Sequence, residues 1–478
     1  MRAQTLRPLA RSPLLDKGLS MATVRMAIVR ASIVPLVWTL ISVALTMFVL
    51  DSSPHVGLIS FDAGNFILAA QDFRISADQP HMPGYPGIVA IAKLVDPLLG
   101  PASGLRLLGL LVPLSAFLLG LGLSDRLGWK GAMATQALVL TSPFVWFFAF
   151  TAETYAIDLL VGTCLTLIIL RDRGHRWLPA LLGITAFFRP VTAVLLLPGI
   201  LWLLWSVRRS LSVSSMITPL IIAVSFFLSA LYGILIGSDG IDGLITLIRS
   251  GPPVPMRPFS ELFPFAVYTA WFCVPLLPVM WRSGKRSSVV VKPLIITFLS
   301  ALMFFAIGHY AKGYLMLIVP AMIVGVVSMR RISWQMITVS VFVQAVMFLL
   351  LPSMPDPLPK NSPQRSSNAV VRMWERTTSS YSCTLDRIND LRRFWDSAMP
   401  WIGRQHGPIL FKNDVAPTVR IAQALSEVGG KNNRPWWGHT KTDDQNWVRL
   451  DRNGLHEEGR TDTALAASTL FTLDSLPK

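Results

Sequence analysis

The chain has 478 residues, of which 52% are hydrophobic and only 15% are charged, and its mean hydropathy is +0.52. This composition excludes a soluble globular protein and indicates a polytopic membrane protein. The formal charge of +16 is typical of basic loops that stay in the cytoplasm, so we expect a lipid bilayer and no nucleic acid as a partner.

The N-terminal residues 1–30 are basic and come before the first apolar segment. They lack the small-residue cleavage site of a removable signal peptide, so we expect an uncleaved anchor with a cytoplasmic N-terminus. Residues 31–351 are rich in apolar segments, and a helix needs about 20 such residues to cross a bilayer, which predicts about eleven spans. The predicted spans are 31–50, 105–123, 132–150, 154–170, 177–188, 190–205, 216–236, 262–281, 293–308, 314–329 and 334–351.

The sequence predicts a large first extracytoplasmic loop at 51–106. Alternate loops are rich in Lys and Arg, which assigns them to the cytoplasm and leaves this loop on the other side. Within it, residues 63–73 show the apolar spacing of an amphipathic surface helix. Residues 84–100 are short for a span and are broken by Pro97, so we expect a second helix lying along the membrane interface.

The apolar character ends after Leu351. Residues 352–368 are rich in Pro and Ser, as in a linker. Residues 369–478 mix charged, aromatic and turn-forming residues and predict a small soluble region. The sequence therefore predicts an all-α membrane domain followed by a C-terminal soluble part.

Ionisable and aromatic side chains gather at the outer ends of the predicted spans. Such groups are costly at membrane depth, so they are normally solvated, paired or functional. They are Asp62, His81, Tyr85, Glu153, Tyr155, Arg189, His309 and Lys312. Simpler interpretations exist for several: Asp62 is a preferred helix cap, and Lys312, Tyr310 and Tyr314 are typical of the interfacial belt.

Three segments resemble the pattern of the multi-spanning type-C glycosyltransferases, most of all the bacterial relatives of the transmembrane protein O-mannosyltransferases. They are FDAGNF at 61–66, HMPGYPG at 81–87 and AETYA at 152–156. Met82 stands where a proline is usual in that family, and Asn65 follows Gly64 where a glutamate is common. The second departure leaves open whether a divalent metal, Mg or Mn, takes part; the sequence indicates no metal ligands and no other cofactor.

The resemblance implies inverting transfer of a mannose-like or other hexose or pentose unit from a polyprenyl-phosphate donor. The acceptor, a glycan, lipid or protein, is expected on the extracytoplasmic side of the inner (plasma) membrane. A carboxylate is needed to accept the acceptor's proton, which favours Asp62, with Glu153 second. Cations are needed to neutralise the departing phosphate, which favours Arg189, Lys312 and His309. His81, Tyr85 and Tyr155 complete the expected substrate-binding set.

Two other functions fit the same pattern of spans and charges. A transporter or flippase also has many spans and ionisable groups near the membrane, although its polar residues usually lie near the midplane. A polymerase of lipid-linked saccharides would use the same lipid-phosphate chemistry. A catalytically inactive accessory subunit is a third alternative.

Overall fold

The computed structural model describes most of the chain up to Leu350 and three short strands beyond it. The described residues are 21–50, 61–77, 79–99, 103–150, 154–171, 174–250, 266, 269, 273, 276, 277, 291–306, 312–328, 333–350, 409–411, 447–451 and 454–458. Up to Leu350 the regular structure is helical. The α-helices are α1 Met21–Leu50, α2 Phe61–Gln71, α3 Pro86–Leu99, α4 Ser103–Leu107, α5 Leu111–Thr141, α6 Pro143–Phe150, α7 Tyr155–Leu170, α8 Leu178–Phe188, α9 Pro190–Val207, α10 Val213–Gly237, α11 Gly240–Ser250, α12 Val291–Ala306, α13 Val319–Val327 and α14 Trp334–Leu350.

Several helices coincide with predicted apolar segments, namely Tyr155–Leu170, Leu178–Phe188, Val291–Ala306 and Trp334–Leu350. Most of the predicted span 262–281 lies outside the described residues. The predicted break between 123 and 132 is marked by Gly128, whose φ of 67° and ψ of 167° interrupt the helical backbone of α5. Glycine adopts a positive φ at little cost, which explains why the chain departs from the helix there. Among the described residues, the stretches long and apolar enough to cross a membrane are Arg25–Val43, Gly104–Thr141, Pro190–Ser210 and Val213–Gly237.

The helix α2 is present as predicted, but the expectation that it lies on the surface is wrong. From Ala63 to Ala69 its side chains are buried on every side, with Asn65 at 0% and Phe66 at 2% exposure. Residues 66–70 of this helix are all apolar, so apolar side chains point to more than one side of it, and a helix of that kind is normally buried. It packs on α3 and joins a core cluster that also contains side chains of α7, α8 and α9. The first loop is therefore anchored in the helical core.

The helix α3 is buried at its N-terminal end and exposed at its C-terminal end. Its N-terminal half is buried, with Ile88 at 1% and Ala92 at 1% exposure, while Leu94 and Leu98 in its C-terminal half are 73% and 81% exposed. These exposed leucines are suited to a membrane interface. The buried half fixes the loop that precedes the helix.

The apolar hairpin of α8 and α9 turns at one residue, Arg189. The amide of Arg189 still donates to Thr185 O at 2.6 Å, and its carbonyl already accepts from Ala193 N at 3.1 Å. Arg189 is thus the last cap of α8 and the first cap of α9, and Pro190 begins α9. A proline at the first helical position has no amide to satisfy, and it disfavours helical geometry in the residue before it.

The C-terminal region contains strands, so its described part departs from the all-helical membrane domain. Strand β1 (Ile409–Phe411) pairs in parallel with β2 (Trp447–Asp451), and β2 pairs antiparallel with β3 (Gly454–Glu458). The sheet order is β1-β2-β3. The described strands belong to the predicted soluble region.

The predicted topology is testable with two exposed aspartates that are predicted to lie on opposite sides of the membrane. Asp125 lies in the basic segment predicted to be cytoplasmic, and Asp239 lies between α10 and α11 on the predicted outer side. In a background lacking native cysteines, we expect an impermeant thiol reagent to label Asp239→Cys in intact cells and to leave Asp125→Cys unlabelled. Both cysteines should react with the reagent once the membrane is permeabilised. Labelling of Asp125→Cys alone in intact cells would show that the topology is the reverse of the predicted one.

Candidate active site

A buried ion pair lies at the apex of the α8–α9 hairpin. Arg189 Nη2 is 2.9 Å from Asp158 Oδ2, and the two side chains are 4% and 1% exposed. Asp158 comes from the first turn of α7, one helical turn after Thr154. Because a buried charge is stable only with a partner of opposite charge or several hydrogen bonds, each of these residues requires the other.

Two threonines add hydrogen bonds to this pair. Thr192 Oγ1 donates to Asp158 Oδ1 at 2.9 Å, and Arg189 Nη1 donates to Thr154 Oγ1. Thr192 is 0% and Thr154 is 5% exposed. Each carboxylate oxygen and each terminal guanidinium nitrogen therefore lies close to a protein group, which limits rotation of the two charged groups.

Three tyrosine rings surround the guanidinium. Arg189 Cζ lies 4.7 Å from the ring centroid of Tyr155, 5.6 Å from that of Tyr314 and 5.7 Å from that of Tyr85. Tyr155 and Tyr314 also meet edge to face, with centroids 5.4 Å apart. Aromatic faces attract a cation at these distances, most strongly when water is excluded. The arginine thus binds three rings from three separate parts of the chain.

The ring of Tyr85 extends this cluster into the first loop. Tyr85 has a φ of 46°, a left-handed conformation that is uncommon for a residue with a side chain and persists where surrounding contacts enforce it. Its ring packs against His81 at 5.2 Å and Phe66 at 5.4 Å between centroids. His81 is partly exposed, whereas Tyr85 is 5% exposed. His81 therefore lies at the accessible edge of a buried aromatic group.

Close backbone approach holds Tyr314 and Tyr155 together. Gly313 is in the 3₁₀ segment Lys312–Leu317, and a Cβ atom added at Gly313 would overlap the ring of Tyr155. A glycine is therefore required for this segment to reach the ring. Tyr314 is 4% exposed, so it is a buried partner of Arg189, and the interpretation of Tyr314 as an interfacial belt residue is wrong.

The structure brings together four of the residues that the sequence singled out. They are His81, Tyr85, Tyr155 and Arg189. Asp62 is the second residue of α2 and Lys312 begins its 3₁₀ segment, but their side chains lie outside the described part of the chain, as do Glu153 and His309 entirely. The roles expected of these residues stay predictions.

Sequence reasoning missed Asp158 and Thr192. Asp158 is the one acidic residue within the apolar run of α7, and an acid in such a run is a recognisable signal of pairing or function. Thr192 carries no such signal, because buried threonines usually bond the carbonyl one turn back in their own helix. No cluster of three His, Cys, Asp or Glu side chains that suits a metal ion occurs among the residues that the structure describes.

The arrangement of helices is shared with solved structures of another membrane protein. ArnT from Cupriavidus metallidurans in the apo state gives a TM-score of 0.54 at 14% sequence identity, covering 81% of this chain and 84% of that chain. The same protein bound to undecaprenyl phosphate gives a TM-score of 0.53 at 15% identity, covering 82% and 84%. The chain has the ArnT fold. ArnT is a type-C glycosyltransferase, so the type-C fold predicted from the sequence is confirmed.

The likeness to ArnT extends over most of both chains. At this low identity it establishes the fold alone, and an activity for this chain is a proposal that needs the site as well. No protein-family model and no curated protein matches this sequence.

Proposed function

We propose that the protein transfers a sugar from a polyprenyl-phosphate donor to an acceptor on the extracytoplasmic side of the inner membrane. The observation that carries this proposal is the ArnT fold over more than four fifths of the chain, with one ArnT structure bound to undecaprenyl phosphate. The clustering of His81, Tyr85, Tyr155 and Arg189 supports it, because four of the six residues expected to bind substrate lie together.

The proposed reaction is a single displacement with inversion at the anomeric carbon. The acceptor's hydroxyl oxygen forms a bond to that carbon, while the bond from the carbon to the phosphate oxygen breaks. The hydroxyl proton passes to a carboxylate base, and the electron pair leaves with polyprenyl phosphate. Asp62 is the proposed base, and Glu153 is proposed to position the acceptor or the sugar.

The departing phosphate requires positive charge close to its oxygens. Lys312 and His309 are proposed to supply it, with Arg189 as a third cation. The charge of Arg189 is already balanced by Asp158 at 2.9 Å, so its contribution at the phosphate is smaller than that of an unpaired cation. We therefore place the main neutralising role on Lys312 and His309.

The partly exposed imidazole of His81 is proposed to contact the sugar or the phosphate. It lies against the ring of Tyr85 with the centroids 5.2 Å apart, which fixes its plane. A mannose-like hexose or a pentose fits this proposal equally, and the acceptor is a glycan, a lipid or a protein. A divalent Mg or Mn ion would add positive charge at the phosphate.

One assay tests the proposal. Purified protein in lipid vesicles is incubated with a panel of radiolabelled polyprenyl-phosphate sugars and candidate acceptors. We expect release of polyprenyl phosphate together with a new glycosidic product for at least one donor. Movement of an intact lipid-linked sugar across the bilayer, without release of polyprenyl phosphate from any donor, would instead identify a flippase.

A further inference from the structure

We propose that Asp158 and Thr192 are positioning residues that hold the active-site loops in their working geometry through Arg189. This inference rests on the proposed glycosyl transfer and assigns a role to residues that would touch neither sugar nor phosphate. Its basis is that one buried ion pair, Asp158 with Arg189 at 2.9 Å, is in contact with several separate segments of the chain.

The segments around Arg189 are the ones that carry the proposed catalytic and binding groups. Each of the three tyrosines on the guanidinium has a proposed site residue close before it in the sequence. The pairs are His81 with Tyr85, Glu153 with Tyr155, and Lys312 with Tyr314. A shift of the guanidinium would therefore be passed to all three segments.

The same group of rings also reaches the helix that carries the proposed base. Phe66 lies one helical turn after Asp62 in α2 and packs edge to face on Tyr85 with centroids 5.4 Å apart. Phe66 also lies 6.3 Å from His81 between ring centroids. The position of α2 is thus linked to Arg189 through one ring, that of Tyr85.

Orientation of the guanidinium depends on Thr192. A carboxylate with one partner rotates about its last side-chain bond, whereas one with a partner on each oxygen has a defined plane. Asp158 Oδ1 accepts from Thr192 and Oδ2 faces Arg189, at 2.9 Å each. Loss of the threonine hydroxyl leaves the ion pair in place but frees the carboxylate plane, and with it the plane of the guanidinium that the rings contact.

The surroundings of Arg189 explain why we assign it to positioning. Its terminal nitrogens are engaged by protein groups, Nη1 by Thr154 and Nη2 by Asp158, and its side chain is 4% exposed. An arginine that bound the phosphate alone and directly would need these N–H groups to face the space that the lipid-linked sugar occupies. The charge of Arg189, together with the tyrosine rings around it, is better placed to set the geometry of the neighbouring loops.

The test compares two buried threonines with different partners. Thr192 and Thr166 are both 0% exposed, but Thr166 Oγ1 donates to Gly162 O, one turn back in its own helix, at 2.7 Å. We expect Thr192→Val to lower kcat for sugar transfer at least about tenfold, as for loss of a buried hydrogen bond to a charged group, with KM for the lipid donor little changed. Thr192→Ser should restore kcat, and Thr166→Val should retain the wild-type value.

A second measurement does not depend on turnover. Hydrogen exchange of the amides in residues 74–89 reports the ordering of the loop, whose turn includes Gly84 N bonded to His81 O at 2.9 Å. We expect Thr192→Val to speed exchange of this segment at least about tenfold, and Thr166→Val to leave it unchanged. This result stands even if no donor on the panel is turned over, so a failure of the proposed function is distinguished from a failure of the positioning role.

Two outcomes would overturn the inference. One is equal kcat and equal loop exchange in Thr192→Val and Thr166→Val, which would reduce Thr192 to an ordinary buried threonine. The other is a fall in kcat that Thr192→Ser does not restore, together with unchanged exchange in residues 74–89. That pattern would place the effect in packing and not in the hydrogen bond to Asp158.

Discussion

Asp62→Asn is expected to lower the rate of sugar transfer by at least about 100-fold, the usual effect of removing a general base, while membrane insertion and donor binding stay normal. The amide keeps the shape of the carboxylate and an oxygen that caps a helix, but it cannot accept the acceptor's proton. The substitution therefore separates the two interpretations of this residue. The measurement is single-turnover transfer in vesicles, with donor affinity determined in parallel.

Asp72→Asn is the matched control for this prediction. Asp72 follows the end of α2, and its carboxylate pairs with Arg74 at 2.6 Å in an ion pair whose side chains are 45% and 44% exposed. Exposed pairs of this kind contribute little to stability, so the control should transfer sugar at the wild-type rate. If Asp62→Asn also keeps near-normal turnover, Asp62 is only a helix cap and Glu153 becomes the leading candidate for the base.

The boundaries of some helices were predictable, because a bilayer sets the length of an apolar helix and proline ends a helix. The segment predicted at 154–170 is the helix Tyr155–Leu170, and the break predicted at Arg189 and Pro190 is the turn between α8 and α9. Apolar length and proline chemistry decide such features locally. Tertiary contact was not needed to predict them.

The depth of α2 was not predictable in the same way. Its residues from Phe61 to Gln71 form the predicted helix, but whether a short apolar helix lies on the surface or inside depends on what the rest of the chain places around it. Helices α7, α8 and α9 supply the partners that bury Phe66 and its neighbours. No local pattern in the first loop contains this information.

The candidate site shows the same limit. Arg189 and Tyr155 were singled out because each is unusual at the end of an apolar segment. The partner of Arg189 could not be chosen from one sequence, since Asp158 is 31 positions away along the chain and other acids, such as Asp62 and Glu153, are predicted on the same side of the membrane. A buried acid in α7 was a sufficient reason to look for a cation, and the fold decided which cation it is.

Arg189→Ala is expected to destabilise the protein by about 3–5 kcal/mol, because it leaves the carboxylate of Asp158 buried without its partner. The pair has side-chain exposures of 4% and 1%, so the carboxylate is far from bulk solvent. Because the pair is buried, we expect the loss of folding stability to be the main effect of this substitution. The measurement is the apparent unfolding temperature of the purified protein in detergent.

The exposed ion pair of the first loop provides the control. Arg74→Ala removes a partner from Asp72 at 2.6 Å, and it should change the free energy of unfolding by only about 0–1 kcal/mol, as is usual for exposed pairs. Equal losses in Arg74→Ala and Arg189→Ala would show that the buried pair contributes no more than an exposed one.

The double variant Asp158→Leu with Arg189→Met then separates charge balance from positioning. Replacing both members of a buried pair by apolar side chains of similar size is often neutral or stabilising, so we expect the double variant to regain most of the stability lost in Arg189→Ala. Its rate of transfer should remain low, because the methionine side chain offers neither the charge nor the planar group on which the rings of Tyr85, Tyr155 and Tyr314 are arranged. Recovery of both stability and transfer rate would mean that the ion pair serves folding alone and that the loops find their geometry without it.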